Sequence, residues 1–155
     1  MIKRRLNETY FLIGIIAVIL VAEAVHGADD MVATVKLLQG SWQAVKLEGD
    51  GKPAPDEIQK SFQMTIKDDK MIITMRGAPN RDCKFKLDPS DPNFIDITGA
   101  IKGKEGDTLL GIFSLEGDQL KICFPETKDL PRPTEFTSSA GSHLGVMILK
   151  RVKAE

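Results

Sequence analysis

Gly40-Ser41-Trp42-Gln43-Ala44-Val45-Lys46-Leu47-Glu48-Gly49-Asp50-Gly51 decides the fold of this chain once it is set beside the last apolar run, which closes on Leu149-Lys150-Arg151. Trp42 to Leu47 reads as a strand, and the Glu-Gly-Asp-Gly that ends it is a turn of residues tolerant of positive φ. Gly40 lets the backbone enter a tight barrel end, the indole of Trp42 plugs that end, and the Arg151 guanidinium from the final strand lies across the ring. The pair is read as structural, since a cation–π contact contributes ~0.5–2 kcal/mol and needs no ligand.

The same period-two pattern recurs along the chain. Phe62, Met64 and Ile66 alternate with polar residues, Asp68-Asp69 makes a hairpin turn, and Met71, Ile73 and Met75 resume until Gly77-Ala78-Pro79-Asn80 stops them. Cys83, Phe85 and Leu87 form the next run, followed by the Asp88-Pro89-Ser90-Asp91-Pro92 reversal and a short strand from Phe94 to Thr98. After a glycine-rich charged loop over 99–107 come Thr108 to Leu115, a second Glu-Gly-Asp turn at 116–118, and the run Leu120, Ile122, Phe124. The repeated Leu-Glu-Gly-Asp is repeated turn chemistry, because nothing around the two copies matches. Pro125, Pro131 and Pro133 fill an irregular segment before the last strand, Leu144 to Val152. Helical signals are confined to Met31–Gln39, a short helix or lead-in, and to one turn at Asp56–Lys60 after Pro55.

Eight short strands joined mostly by turns predict an all-β protein, an eight-stranded antiparallel up-and-down barrel whose closure removes edge strands. The inner parity gathers Phe62, Met64, Ile66, Met71, Ile73, Met75, Phe85, Leu87, Ile95, Ile97, Leu109, Phe113 and Ile122. A barrel of this size either fills with its own side chains or holds one small ligand. Met64, Met71, Met75 and Met147 suit both alternatives, as gap-fillers or as an adaptable pocket wall.

Residues 1–27 predict a signal peptide: Lys3, Arg4 and Arg5, then an uncharged run from Tyr10 to Ala22, then small residues that fit cleavage after Ala24 or after Gly27. The uncharged run falls short of the ~20 residues that span a hydrocarbon core, so no membrane association is expected after cleavage. Residues 28–36 are then a lead-in and 37–155 the barrel domain, and the protein is expected in the periplasm or outside the cell. The formal net charge is −1 over 155 residues, which gives no field for gathering polyanions and argues against nucleic acid.

Little in the sequence points to catalysis. Cys83 shares a face with Phe85 and Leu87 while Cys123 lies opposite Leu120, Ile122 and Phe124, an alternation that argues against their pairing. His143 stands alone in a loop, and a metal site needs three or four convergent ligands, so neither metal nor cofactor is expected. Asp88, Asp91 and Asp96 lack the glycine and spaced glutamate of a calcium loop and read as turn formers. Arg132 and Glu135 flank Pro133-Thr134, and either anchor a ligand at a barrel mouth or pair with each other.

Taken together, Leu38-Gln39-Gly40-Ser41-Trp42, Asp50-Gly51-Lys52-Pro53-Ala54-Pro55, Leu110-Gly111-Ile112-Phe113, the run 117–124, Arg132-Pro133-Thr134-Glu135-Phe136 and Leu149-Lys150-Arg151 resemble the lipocalin-like family of short exported proteins common in planctomycetes. The resemblance covers about residues 37–152. It implies a lipocalin-like barrel with Trp42 near the closed end and Arg151 stacked on it, in a family with no settled activity. Lipocalins often carry apolar small molecules, which makes Met64, Ile66, Met71, Ile73, Met75, Phe85, Phe113 and Ile122 the candidate ligand-lining residues. The expectation is a non-catalytic, monomeric binder of a small apolar molecule; the alternative is an extracytoplasmic protein-interaction module with a filled core.

Overall fold

A computed structural model describes residues 27–99 and 106–153. The expected leader lies outside the described residues except for Gly27, and so does most of the loop expected at 99–107. Helix α1 covers 27–38. The remaining elements are β1 (Gly40–Gly49), β2 (Lys52–Pro53), α2 (Asp56–Ser61), β3 (Gln63–Lys67), β4 (Lys70–Met75), β5 (Ala78–Leu87), β6 (Phe94–Gly99), β7 (Thr108–Glu116), β8 (Gln119–Pro125) and β9 (Leu144–Arg151). No helix among the described residues is long and apolar enough to cross a membrane.

The strands β1 and β3 to β9 form one antiparallel up-and-down sheet that closes on itself, as the alternation predicts. Closure runs along β1 and β9, with Trp42 opposite Arg151, Ala44 opposite Leu149 and Gly49 opposite Gly145. The two-residue β2 is an addition, folding Lys52 and Pro53 back on Gly49 and Glu48 at the barrel's rim. Two irregularities tune the wall. Val45 bulges out between Ala44 and Lys46, so that Leu47, one residue out of phase with Trp42 and Ala44, still turns inward and is buried. The reversal expected over 77–80 shrinks to Arg76-Gly77, since Gly77 at φ +76° makes the turn by itself and β5 begins at Ala78. Pro79 is tolerated in that strand because it falls where the β4–β5 register shifts, so its missing N–H is not called on by the ladder.

The inner parity packs as one core, from Phe62, Met64 and Ile66 through Met71, Ile73, Ile97 and Leu109 to Ile122, Met147 and Leu149. Gly145 sits opposite Phe124, and a Cβ there would lie 2.8 Å from the edge of the Phe124 ring, so the ring fills the space the glycine leaves. A second, smaller cluster lies on the outer wall, where Ile112, Cys123 and Val146 are buried with Phe94, Leu144 and Ile148 around them. The connection 126–143 straps this outer cluster: Pro133 is buried and the Cys123 thiol points at the Thr137 carbonyl oxygen, 3.9 Å away. No described cysteine is bridged, and both thiols are buried on opposite sides of the wall, as their parity predicts.

Candidate functional site

The base of the barrel is the end where β1 begins, where the β3–β4, β5–β6 and β7–β8 turns lie, and where β9 finishes. Helix α1 is tied to it at its C-terminal end. The Trp42 side chain is wholly buried and its Nε1–H donates to the Leu38 carbonyl at 3.0 Å. Arg151 lies over the indole, 4.1 Å from the ring centroid, and its guanidinium donates to the carbonyls of Leu37 at 2.6 Å and Gln39 at 2.7 Å. These are carbonyls at a helix terminus, which have no partner within the helix and welcome a cation. Gly40 turns the chain from α1 into β1 at φ +118°, and a Cβ there would press to 3.3 Å from Arg151 Nη1. Gln39 completes the junction: its amide oxygen accepts the Asp68 N–H at 2.6 Å and its Nε2 donates to the Asp68 carbonyl at 3.1 Å.

From this anchored end, Met31, Val35 and Leu38 repeat at helical spacing and pack on the core. A neighbouring stripe, Ala28, Val32 and Lys36, faces a cleft of about 950 Å³ that opens to solvent on one side. The opposite wall is the end of β5, with Phe85, Lys86 and Leu87, continued by Pro89; Asp68 and Asp69 of the β3–β4 turn stand at its edge. The lining is chiefly apolar, and its size falls within the ~300–1,000 Å³ usual for small-molecule sites.

The barrel interior is different. Met64, Met71 and Ile122 are 0% exposed, so no water-sized void touches them, and Ile66, Ile73 and Phe113 are nearly as completely enclosed. Met75 is half-buried at the far end of β4. Of the eight residues expected to line a ligand cup, only Phe85 reaches the cleft. Six of the others pack as core and Met75 packs against it, because large side chains alternate around a small barrel with nothing small between them to leave space.

Arg132 and Glu135 are not brought together. Glu135 is exposed, whereas Arg132 folds inward over Phe94, 4.2 Å from the ring centroid, and donates to the Gly111 carbonyl at 2.6 Å and to Asp96 Oδ1 at 2.8 Å. Asp88 Oδ2 lies 3.4 Å away. Arg132 therefore pins the strap to the outside of β6 and β7 and not to a barrel mouth. A smaller hollow of about 460 Å³ beside it is lined by Phe94, Ile112, Pro133 and Phe136 among others. Asp88 and Asp91 do form turns, accepting from the Ser90 and Asn93 backbone N–H groups. Hydrogen bonds from Ser90, with the Arg132 charge behind them, hold the Asp88 carboxyl below the ordinary range.

At the far end, His143 at φ +52° donates its backbone N–H to Asp50 Oδ1 at 3.0 Å, and its Nδ1 stands about 4 Å from the carboxylates of Asp50 and Glu126. The nearby Ser138 hydroxyl is already spent, donating to the Leu144 carbonyl and accepting from the Gly51 N–H. Burial pushes the Cys123 thiol up to about 11 and raises Cys83 as well, which suits packing and opposes nucleophilic use. Among the described residues no three His, Cys, Asp or Glu side chains are placed to hold a metal ion.

No family model, curated protein or solved structure matches this chain. The fold defines its class as a closed eight-stranded antiparallel β-barrel.

Proposed function

We propose that this protein is an exported, lipocalin-like binder of a small apolar molecule, without catalytic activity, and that the guest sits in the cleft between α1 and the end of β5. The observation that carries this reading is the apolar cleft of about 950 Å³ beside a barrel interior whose side chains are fully enclosed. Burying apolar surface there is worth ~25 cal/mol per Å², so a guest of modest size gains binding energy without a designed polar site. The test is native mass spectrometry of protein purified from its own host, wild type beside Val32→Asp. A retained small molecule in the wild type that is missing from the variant is the expected result. Apo protein in both samples would reject the proposal.

One observation favours a second reading. The filled interior and the exposed Val32, Leu37 and Val45 also suit an extracytoplasmic protein-interaction module. Crosslinking in the native compartment that recovers a defined partner through α1, with no small molecule retained, would establish it.

A further inference from the structure

We infer that the hollow between the strap and the outer wall of β6 and β7 is a second binding site, and that it takes a neutral sugar. It has about 460 Å³ of space, toward the lower end of the ~300–1,000 Å³ usual for small-molecule sites, and it shares no lining residue with the α1 cleft. The inference therefore stands whether or not the cleft holds an apolar guest.

The floor is apolar and firmly held. Phe94 stands opposite Ile112 on neighbouring strands, and Pro133 of the strap is buried. Arg132 covers Phe94 at 4.2 Å and is bonded to the Gly111 carbonyl and Asp96, so its charge is answered within the wall and not left for a guest. Phe94 also packs against the outer cluster, which leaves Phe136 as the ring the hollow offers. Phe136 is 36% exposed, whereas Phe62, Phe85, Phe113 and Phe124 are each 5% exposed or less. A single free ring suits the C–H face of a pyranose, which packs on one aromatic plane; a nucleobase gains most from a slot between two.

The rim is polar, and much of it is unspent. Asp91 Oδ1 accepts the Asn93 N–H at 2.8 Å, and the Asn93 carbonyl accepts the Phe113 N–H at 2.8 Å, so this part of the rim is fixed to β7. Asp91 Oδ2, the Asn93 carboxamide and the Thr134 hydroxyl bond to no protein group among the described residues. The Ser114 hydroxyl donates to Glu116 at 3.2 Å and keeps its acceptor capacity. The rim thus mixes a carboxylate that accepts, an amide that donates and accepts at separate atoms, and a hydroxyl that does both at one. Adjacent sugar hydroxyls, each donor and acceptor, match that mixture. A wholly apolar guest would strip water from these groups and return no hydrogen bond, which is costly. An anion would meet Asp91, with the Arg132 charge already taken by Asp88 and Asp96.

The test is a proton–nitrogen NMR titration of the whole protein with cellobiose, maltose and N,N′-diacetylchitobiose, beside choline and adenosine. At least one disaccharide is expected to saturate at roughly tens of millimolar or below, with shifts centred on the amides of Asn93, Phe94, Thr134 and Phe136. Phe136→Ala is expected to weaken that binding about five- to tenfold and Asn93→Ala about three- to fivefold, as the loss of one ring contact and of neutral hydrogen bonds allows. Both positions are exposed, and an unchanged Tm shows the fold intact; should Phe136→Ala loosen the strap, Asn93→Ala carries the comparison by itself. Val32→Asp, in the cleft, leaves sugar binding untouched. No shift with any of the disaccharides, or shifts that survive both substitutions, would overturn the inference. Choline or adenosine saturating this hollow more tightly than every disaccharide would replace the sugar by a cation or a base and so reject it.

Discussion

Replacing Arg151 by methionine keeps most of the apolar stem and removes the guanidinium, which isolates what the planar cation does at the base of the barrel. Three contacts go together: the bonds to the Leu37 and Gln39 carbonyls and the face of Trp42 at 4.1 Å. Hydrogen bonds from a charged donor are worth ~1.5–3 kcal/mol when well shielded. The Arg151 side chain is 25% exposed and Leu37 lies at the surface, so about 1 kcal/mol for each is the better figure, with about 1 more for the ring contact. The variant should therefore lose roughly 2–3 kcal/mol, read by urea denaturation, and roughly 6–15 °C in Tm. Hydrogen exchange should localise the damage, with amides near the C-terminal end of α1 exchanging faster while those of β3 to β8 keep their protection. Arg151→Lys is the informative control, since an ammonium can neither stack flat nor reach two carbonyls in a fork. Asp118→Asn, which touches only Arg151 Nε at 3.4 Å and an exposed Lys153, should cost under about 0.5 kcal/mol. Full rescue by lysine, or a methionine variant within about 0.5 kcal/mol of wild type, would show that the planar contact does not hold the junction.

Three further outcomes follow from the geometry. Native protein at pH 8 should leave both thiols unlabelled by a disulfide reagent, since a Cys123 thiol pushed up to about 11 is roughly one part in a thousand thiolate; Arg132→Gln should free the strap, cost ~2–4 kcal/mol by leaving Asp96 and the Gly111 carbonyl unpaired, and make Cys123 label while Cys83 stays protected. Met64→Ala should lose ~2–5 kcal/mol of stability in denaturant yet keep the small molecule retained in native mass spectrometry, whereas Val32→Asp should do the reverse. The Asp50 carboxyl is held below its usual value chiefly by the His143 backbone N–H, so its contribution is present above the unfolded pKa of about 3.9 and is lost as pH falls through the lower folded one; Asp50→Asn should flatten that acid limb in pH-dependent thermal melts.

The barrel was legible because strict alternation and turn chemistry are local signals. Both Glu-Gly-Asp turns, the Asp68-Asp69 hairpin and the opposite faces of Cys83 and Cys123 could be read within a few residues of each position. The seam pair Trp42 and Arg151 could be read only because a barrel's first and last strands must meet. What escaped depends on distance or on a shift of phase. The Val45 bulge turns Leu47 inward against a simple period of two, and Pro79 hides at a second irregularity. Arg132 finds Asp88 and Asp96 across more than thirty positions of chain, so its nearer neighbour Glu135 was a misleading partner. The cleft was missed because alternation marks what faces inward, while the cleft lies outside the wall. Its one readable trace was the pair of stripes on α1, Met31-Val35-Leu38 beside Ala28-Val32-Lys36.

Sealing the barrel by β1 against β9 makes assembly wait for the tail of the chain. Until Leu144 to Arg151 have emerged from the ribosome, β1 and β8 each present a bare ladder of N–H and C=O groups, and the cation that fastens α1 has not been made. A nascent chain stopped short of residue 144 is consequently a sticky, unlatched sheet, and its hazard is pairing with its own kind. The eight residues of β9 thus serve as the zip of the barrel, and losing them should turn a self-sealing sheet into an aggregating one.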